Sequence, residues 1–202
     1  MKALNLTGTI LLFILAFGVG LVSLRYLNFE VRDILFERTE ALQTLQYYYG
    51  FYTHVILGPI ALMIGPLQFL PKFRAKYLNF HRNLGKIYIV CCLLGGLAGF
   101  IIAFDTFGGW ETSLGFILLA VLWIYTTLQA YLTIRKKQVQ EHQKWMLRSY
   151  ALTLSAVTLR LWNPILMGII GVDFLMAYAI VAWLCWVPNL AVIEWYIRRK
   201  LN

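Results

Sequence analysis

Apolar residues in this chain run in long blocks, and the polar residues inside those blocks recur at helical steps. Six stretches, about 8–27, 46–70, 86–104, 114–134, 146–168 and 174–197, are each near the roughly 20 apolar residues that cross a bilayer. The pattern predicts an all-α, polytopic membrane bundle of six transmembrane helices. Little chain remains between the blocks, so one transmembrane domain over 1–202 is expected. The longest connection, 26–44, has Val31, Ile34, Leu35 and Leu42 at helical spacing opposite Glu30, Asp33 and Glu37. That spacing predicts an amphipathic helix on the outer surface.

Within the blocks, small and polar residues mark the faces that other helices cover, because lipid accepts Leu, Ile, Val and Phe equally well. The second span carries Tyr47, Gly50, His54, Gly58, Ala61, Gly65 and Gln68 at steps of three or four. The third carries His81, Gly85, Tyr88, Cys92, Gly95 and Gly99, the last two being a G-x-x-x-G close-approach pair. On the fifth, His142, Ser149, Thr153, Ala156, Arg160 and Asn163 form one stripe. Gly58-Pro59 and Gly65-Pro66, seven residues apart, are expected to kink the second span and free backbone carbonyls. Such breaks shape cavities or the broken helices of transporters, although no matching pair occurs in the last three spans.

Composition agrees: 60% of the residues are hydrophobic and only 13% charged, against about 25% charged in soluble domains. The net charge of +9 then becomes a statement about topology. Lys2, Lys72, Arg74, Lys76, Arg82, Lys86, Arg135, Lys136, Lys137, Lys144, Arg148, Arg198, Arg199 and Lys200 fall on one side. Only Arg25, Arg32 and Arg38 fall on the other, with Arg160 inside a span. The positive-inside rule puts both termini in the cytoplasm. With no soluble basic face, nucleic acid is excluded as a partner and the lipid bilayer is the expected one. The first span is long and lacks a cleavage site, so it reads as retained. Cys91, Cys92 and Cys185 all lie in spans and predict no disulfide framework.

Three histidines and one arginine carry the candidate chemistry. At 1.5 Å per residue, Arg160 lies roughly 21 Å from the cytoplasmic edge and His54 about 12 Å below the outer one. In a core about 30 Å thick these heights nearly coincide. An unpaired intramembrane arginine costs at least about 2.5 kcal/mol, so a partner is expected. Asp105, Glu111, Asp173, the freed carbonyls or a bound anionic group are the candidates. His54, Arg160 and Gln68 form the candidate intramembrane polar site. His81 and His142, at the cytoplasmic edge, are too far from His54 for a three-histidine zinc site. As a pair they could hold one b-type haem, with Lys72, Arg74, Arg82, Lys144 and Arg148 near its propionates, or a metal ion assisted by Glu141. Ordinary interfacial hydrogen bonding is the competing reading. Near the C-terminus, Pro188 and Asn189 predict a kink, and Glu194 is placed to pair with Arg198 at i+4.

The runs THVILGPIALMIGPLQFLPKFRAKYLNFHRNLGKIYIV and HQKWMLRSYALTLSAVTLRLW carry G-P-x-Q-F, H-R-x-x-G-x-x-Y and H-x-x-W-M-x-R-S-Y. Over about residues 50–165 the chain resembles an uncharacterised bacterial membrane family, domain-of-unknown-function family 2306. The resemblance implies a bacterial inner-membrane location. It also implies that His54, Gln68, Arg74, His81, Arg82, Gly85, Tyr88, His142, Trp145, Met146, Arg148, Tyr150 and Arg160 are signature positions. It names no activity. A fainter likeness is to the ascorbate-reducible di-haem b cytochromes, in which His81 and His142 would match one ligand pair and His54 half of the other. The fourth span has no histidine, which argues against a second haem. Three functions therefore stand as expectations: single-haem electron transfer to or from a quinone or metal, a non-catalytic or assembly subunit bound to other membrane protein subunits, and a small transporter or lipid-handling protein using a His54–Arg160 cavity.

Overall fold

A computed structural model describes residues 6–28 and 44–201 of the chain. The third predicted span shows how the inside-out pattern becomes structure. It forms a helix over Leu78–Ile102, in which Ile87, Val90, Leu94, Leu97 and Ile101 are exposed while Tyr88, Cys91, Cys92, Gly95 and Ala98 are buried. Lipid replaces water outside, so the large apolar residues face outward and the small and polar ones pack against neighbours.

The described helices are α1 (Leu6–Val22), α2 (Leu45–Gln68), α3 (Pro71–Lys76), α4 (Leu78–Ile102), α5 (Trp110–Arg135), α6 (Val139–Thr153), α7 (Ser155–Pro164), α8 (Phe174–Leu184) and α9 (Val187–Lys200). A 3-10 segment, Ser23–Asn28, follows α1, and a π-helical turn, Ile165–Ile170, follows α7. Among the described residues five stretches are long and apolar enough to cross a membrane: Leu45–Gln68, Leu78–Asp105, Trp110–Arg135, Val139–Ile170 and Phe174–Lys200. Thr7–Val22 is a shorter apolar helix beside them. The chain is thus an all-helical polytopic membrane bundle. The outer amphipathic helix expected over 26–44 falls mostly on residues 29–43, outside those described.

Successive spans run antiparallel and collect the clusters Lys72–Lys86, Arg135–Arg148 and Arg198–Lys200 at one end, the basic end. The broadest interface joins α2 to α4, and small residues make it possible. A Cβ on Gly50 would come within 2.9 Å of Ile102, and one on Gly95 would touch Leu57 and the Gly58 backbone. The G-x-x-x-G pair therefore lies in a helix–helix contact. On α4, Gly96 receives Ile124 of α5 in the same way.

α2 runs as one helix through Pro59 and Pro66, and the carbonyl freed by proline finds a partner on a neighbouring helix, as the sequence leads one to expect. Pro66 lacks the N–H that would bond the Leu62 carbonyl one turn earlier. Tyr150 of α6 donates its hydroxyl to that carbonyl at 3.2 Å, so the orphan is satisfied from a neighbouring helix. Gly65 leaves room for the tyrosine, since a Cβ there would lie 2.0 Å from the ring. This is no transporter-type broken helix. The last span does bend where Pro188 predicts it, between α8 and α9, with Pro188 in the first turn of α9. Asn189 donates to the Cys185 carbonyl at 2.9 Å and to Ala151 at 3.3 Å, tying the bend to α6.

One correction concerns Glu194. Its carboxylate meets the Arg148 guanidinium of α6 through both oxygens, at 2.5 and 3.1 Å, and does not pair with Arg198. Arg148 also stacks over Trp145, 4.4 Å from the ring centroid. The two-point geometry of a carboxylate on a guanidinium outcompetes an exposed i,i+4 pair.

Candidate functional site

Gly58, Pro59, Gly96 and Gly99 line a space between α2, α4, α5 and α7 at the end opposite the basic one. It is a cavity of about 470 Å³. That volume is in the range of small-molecule sites, about 300–1,000 Å³. Phe51, Val55, Phe107, Leu119, Trp123 and Tyr178 supply much of its apolar wall. Its polar lining includes Ser23, Tyr26, His54, Thr153, Arg160 and Asn163.

His54 is held by α4. Its Nδ1–H donates to the Gly95 carbonyl at 2.8 Å, and its ring packs edge-on to Trp123 with centroids 6.4 Å apart. Only glycine at 99 allows this, because a Cβ would stand 2.9 Å from Nδ1. A carbonyl can only accept, so Nδ1 carries the proton and a neutral His54 keeps Nε2 as an acceptor.

Arg160 donates to the Ala156 carbonyl at 2.9 Å and to the Ser23 hydroxyl at 3.2 Å. Among the described residues it makes no ion pair. The acids expected to neutralise it serve elsewhere: Asp173 caps α8 through the Met176 N–H, and Asp105 and Glu111 are exposed. Asn163, one turn further along α7, has a buried amide oxygen without a partner. His54 and Arg160 thus share one cavity, whereas Gln68, assigned to the same site from sequence, sits at the other end of α2.

Beneath the cavity a buried hydroxyl network joins α4, α5 and α6. Tyr88 bonds Ser149 at 3.0 Å and Thr153 at 2.9 Å; Thr127 bonds Ser149 at 2.7 Å; Trp123 donates to Thr153 at 2.9 Å. Every hydroxyl here has a partner, which fixes the three helices in register. Sequence reading placed Tyr88, Ser149 and Thr153 on inner faces but missed the α5 contribution. The signal was there: Thr112, Gly115, Trp123, Thr126, Ala130 and Thr133 recur at helical steps through a span read only for its lack of histidine.

At the basic end His81 and His142 occupy the first turns of α4 and α6, seven residues before Tyr88 and Ser149 respectively, and therefore face each other at one level. His142 donates Nδ1–H to the Ala130 carbonyl at 2.7 Å, which leaves Nε2 free. His81 has a buried Nδ1 without a partner. Such a pair is a fit donor set for two axial positions. Of the expected cations, Arg148 is engaged by Glu194, Arg82 is exposed and Arg74 is half-buried. Glu141, the carboxylate expected to assist a metal, pairs with Lys144 at 3.0 Å. No cluster of three or more metal-ligating side chains occurs among the described residues.

No curated protein and no solved structure matches the chain, the di-haem b cytochromes included. The model of one family, described as predicted membrane protein (DUF2306), matches residues 51–197. That match takes in α2 from Phe51 onward, both histidine-bearing ends and most of the cavity wall, and the chain belongs to this predicted membrane protein family of unknown function.

Proposed function

We propose that the protein is a lipid-handling membrane protein that binds an amphiphile in the His54–Arg160 cavity, its apolar body against the aromatic wall and its oxygen-bearing head on Arg160. One observation carries this reading: a half-buried guanidinium with no ion-pair partner among the described residues opens into a cavity whose lining is mostly apolar. A carboxylate or quinone carbonyl would accept from the guanidinium, and Asn163 and Ser23 offer further polar contacts. The charge asymmetry supports a bacterial inner-membrane orientation with the basic end in the cytoplasm, so that the cavity belongs to the outer half of the bilayer.

Single-haem electron transfer through His81 and His142 has the matched histidines in its favour and the engagement of Arg148 by Glu194 against it. The cavity is therefore the preferred functional centre.

Native mass spectrometry of the detergent-purified protein, with oleate and a short-chain quinone as separate probes, tests the proposal. Wild type should retain one equivalent of at least one probe. Arg160→Gln should bind it about ten- to a hundredfold more weakly, the range expected for a hydrogen bond to a charged group. Equal retention by both proteins, or by neither, would overturn the proposal and turn attention to assembly with other membrane subunits.

A further inference from the structure

The basic end contains a second set of buried polar groups that the cavity does not use. Gln68, the last residue of α2, is 5% exposed, and its side-chain nitrogen has no hydrogen-bond partner. Its amide lies against Gly85 of α4, where an added Cβ would be 3.5 Å from the amide oxygen. Gly85 is one turn above His81 on the same face, so the two unpartnered buried groups, the Gln68 amide and His81 Nδ1, belong to one recess. His142 stands at the same level in the first turn of α6, and Arg74 is carried by the short helix α3 that joins α2 to α4 at this end.

Every side chain in this set can donate, and none is a carboxylate. Among the described residues the only acids at this end are Glu141 and Glu194, and both are engaged, by Lys144 and Arg148. The recess also lies at the first turns of α4 and α6, where the helix dipoles favour negative charge. An orphaned amide nitrogen 95% buried is costly unless an acceptor occupies the space in front of it. The lysines and arginines of the surrounding loops would concentrate anions there.

We propose that Gln68, Arg74, His81 and His142 form a binding site for a phosphate group at the membrane surface, separate from the cavity. The phosphate belongs either to a phospholipid head or to a small phosphate ion, and the donor set is the same for both. Arg74 supplies the charge and Gln68 the buried hydrogen bond. The histidines bound the site on either side.

The test uses the full chain in detergent. One arm titrates inorganic phosphate, and the other titrates phosphatidic acid against diacylglycerol with the same acyl chains. Thermal unfolding and native mass spectrometry are the readouts. A lipid site gives saturable stabilisation by phosphatidic acid and none by diacylglycerol; an ion site responds to phosphate itself. In either case Gln68→Leu and Arg74→Gln should bind about tenfold more weakly, and Arg198→Gln, at an exposed position on α9, should bind as wild type does. Gln68→Leu replaces an unpartnered amide with an apolar group, so its unliganded unfolding temperature should be no lower than wild type. Arg74→Gln, at a half-buried position near the surface, carries the test should the leucine variant misfold. The proposal is overturned by no saturable response to either probe, by unchanged binding in both variants, or by a Soret band lost in His81→Ala and His142→Ala. None of those results touches the cavity reading, whose variants lie at the opposite end of the bundle.

Discussion

Gly99→Ala puts one methyl group where the structure has none to spare. The new Cβ would stand 2.9 Å from Nδ1 and 3.1 Å from Cε1 of His54. Ordinary contact begins at roughly 3.5 Å, so the ring must retreat by about half an ångström or more. The Nδ1–H bond to Gly95, 2.8 Å long, cannot survive much of that movement. Losing an interhelical bond in a membrane costs about 0.6–1.7 kcal/mol, and overpacking a helix interface adds about 1–3 kcal/mol. Alanine recovers about 1 kcal/mol over glycine in a helix, which leaves a net loss of about 1–3 kcal/mol. Gly58→Ala is the matched control on the facing helix, because a Cβ there meets nothing within 4 Å. It should be neutral or stabilising by up to about 1 kcal/mol. Unfolding in mixed detergent micelles gives both free energies. A Gly99→Ala protein as stable as Gly58→Ala would refute the argument that Gly99 exists to seat His54.

Tyr150→Phe should cost about 1–2 kcal/mol by orphaning the Leu62 carbonyl, and most of that cost should vanish in a Pro66→Ala background, where the helix supplies the missing N–H. A double-mutant unfolding cycle measures the coupling; additivity within about 0.5 kcal/mol would contradict it. Glu194→Gln should lower stability by about 1 kcal/mol or less, since the pair with Arg148 is partly exposed, and Arg148→Gln should add little on top of it in the same assay. Tyr88→Phe leaves the Thr127–Ser149 and Trp123–Thr153 bonds in place, so about 1–2 kcal/mol is expected from unfolding titrations, not loss of fold.

The apolar blocks and their inner faces were legible because membrane burial inverts the usual rule and leaves small and polar residues as the mark of contact. Gly95, Gly99, His54 and Arg160 could be assigned to facing surfaces from spacing alone, and depth counting brought His54 and Arg160 to one level. Gln68 went astray because a stripe along one helix says nothing of which end a partner occupies; it is fourteen residues, nearly four turns, from His54. The prolines read correctly as freeing carbonyls, but their donor could not be named from sequence. Whether a freed carbonyl breaks a helix depends on whether a neighbour offers a donor, and Tyr150 is distant in sequence. Arg148 with Glu194 is also a long-range pair, invisible to an i,i+4 reading. The α5 hydroxyls were visible in principle, since their spacing is helical, but threonines carry no ligand chemistry to set them apart from packing residues.

The central claim, that the cavity holds a ligand, is tested most directly by filling it. Gly58 lines the cavity and has open space in front of it, so Gly58→Leu should enter the void without disturbing the helix contacts. The measurement is the affinity of this variant for whichever probe, oleate or the short-chain quinone, wild type retains, alongside its unfolding temperature. The account predicts at least about tenfold weaker binding in a protein that unfolds no earlier than wild type. Unchanged affinity in that folded variant would contradict it.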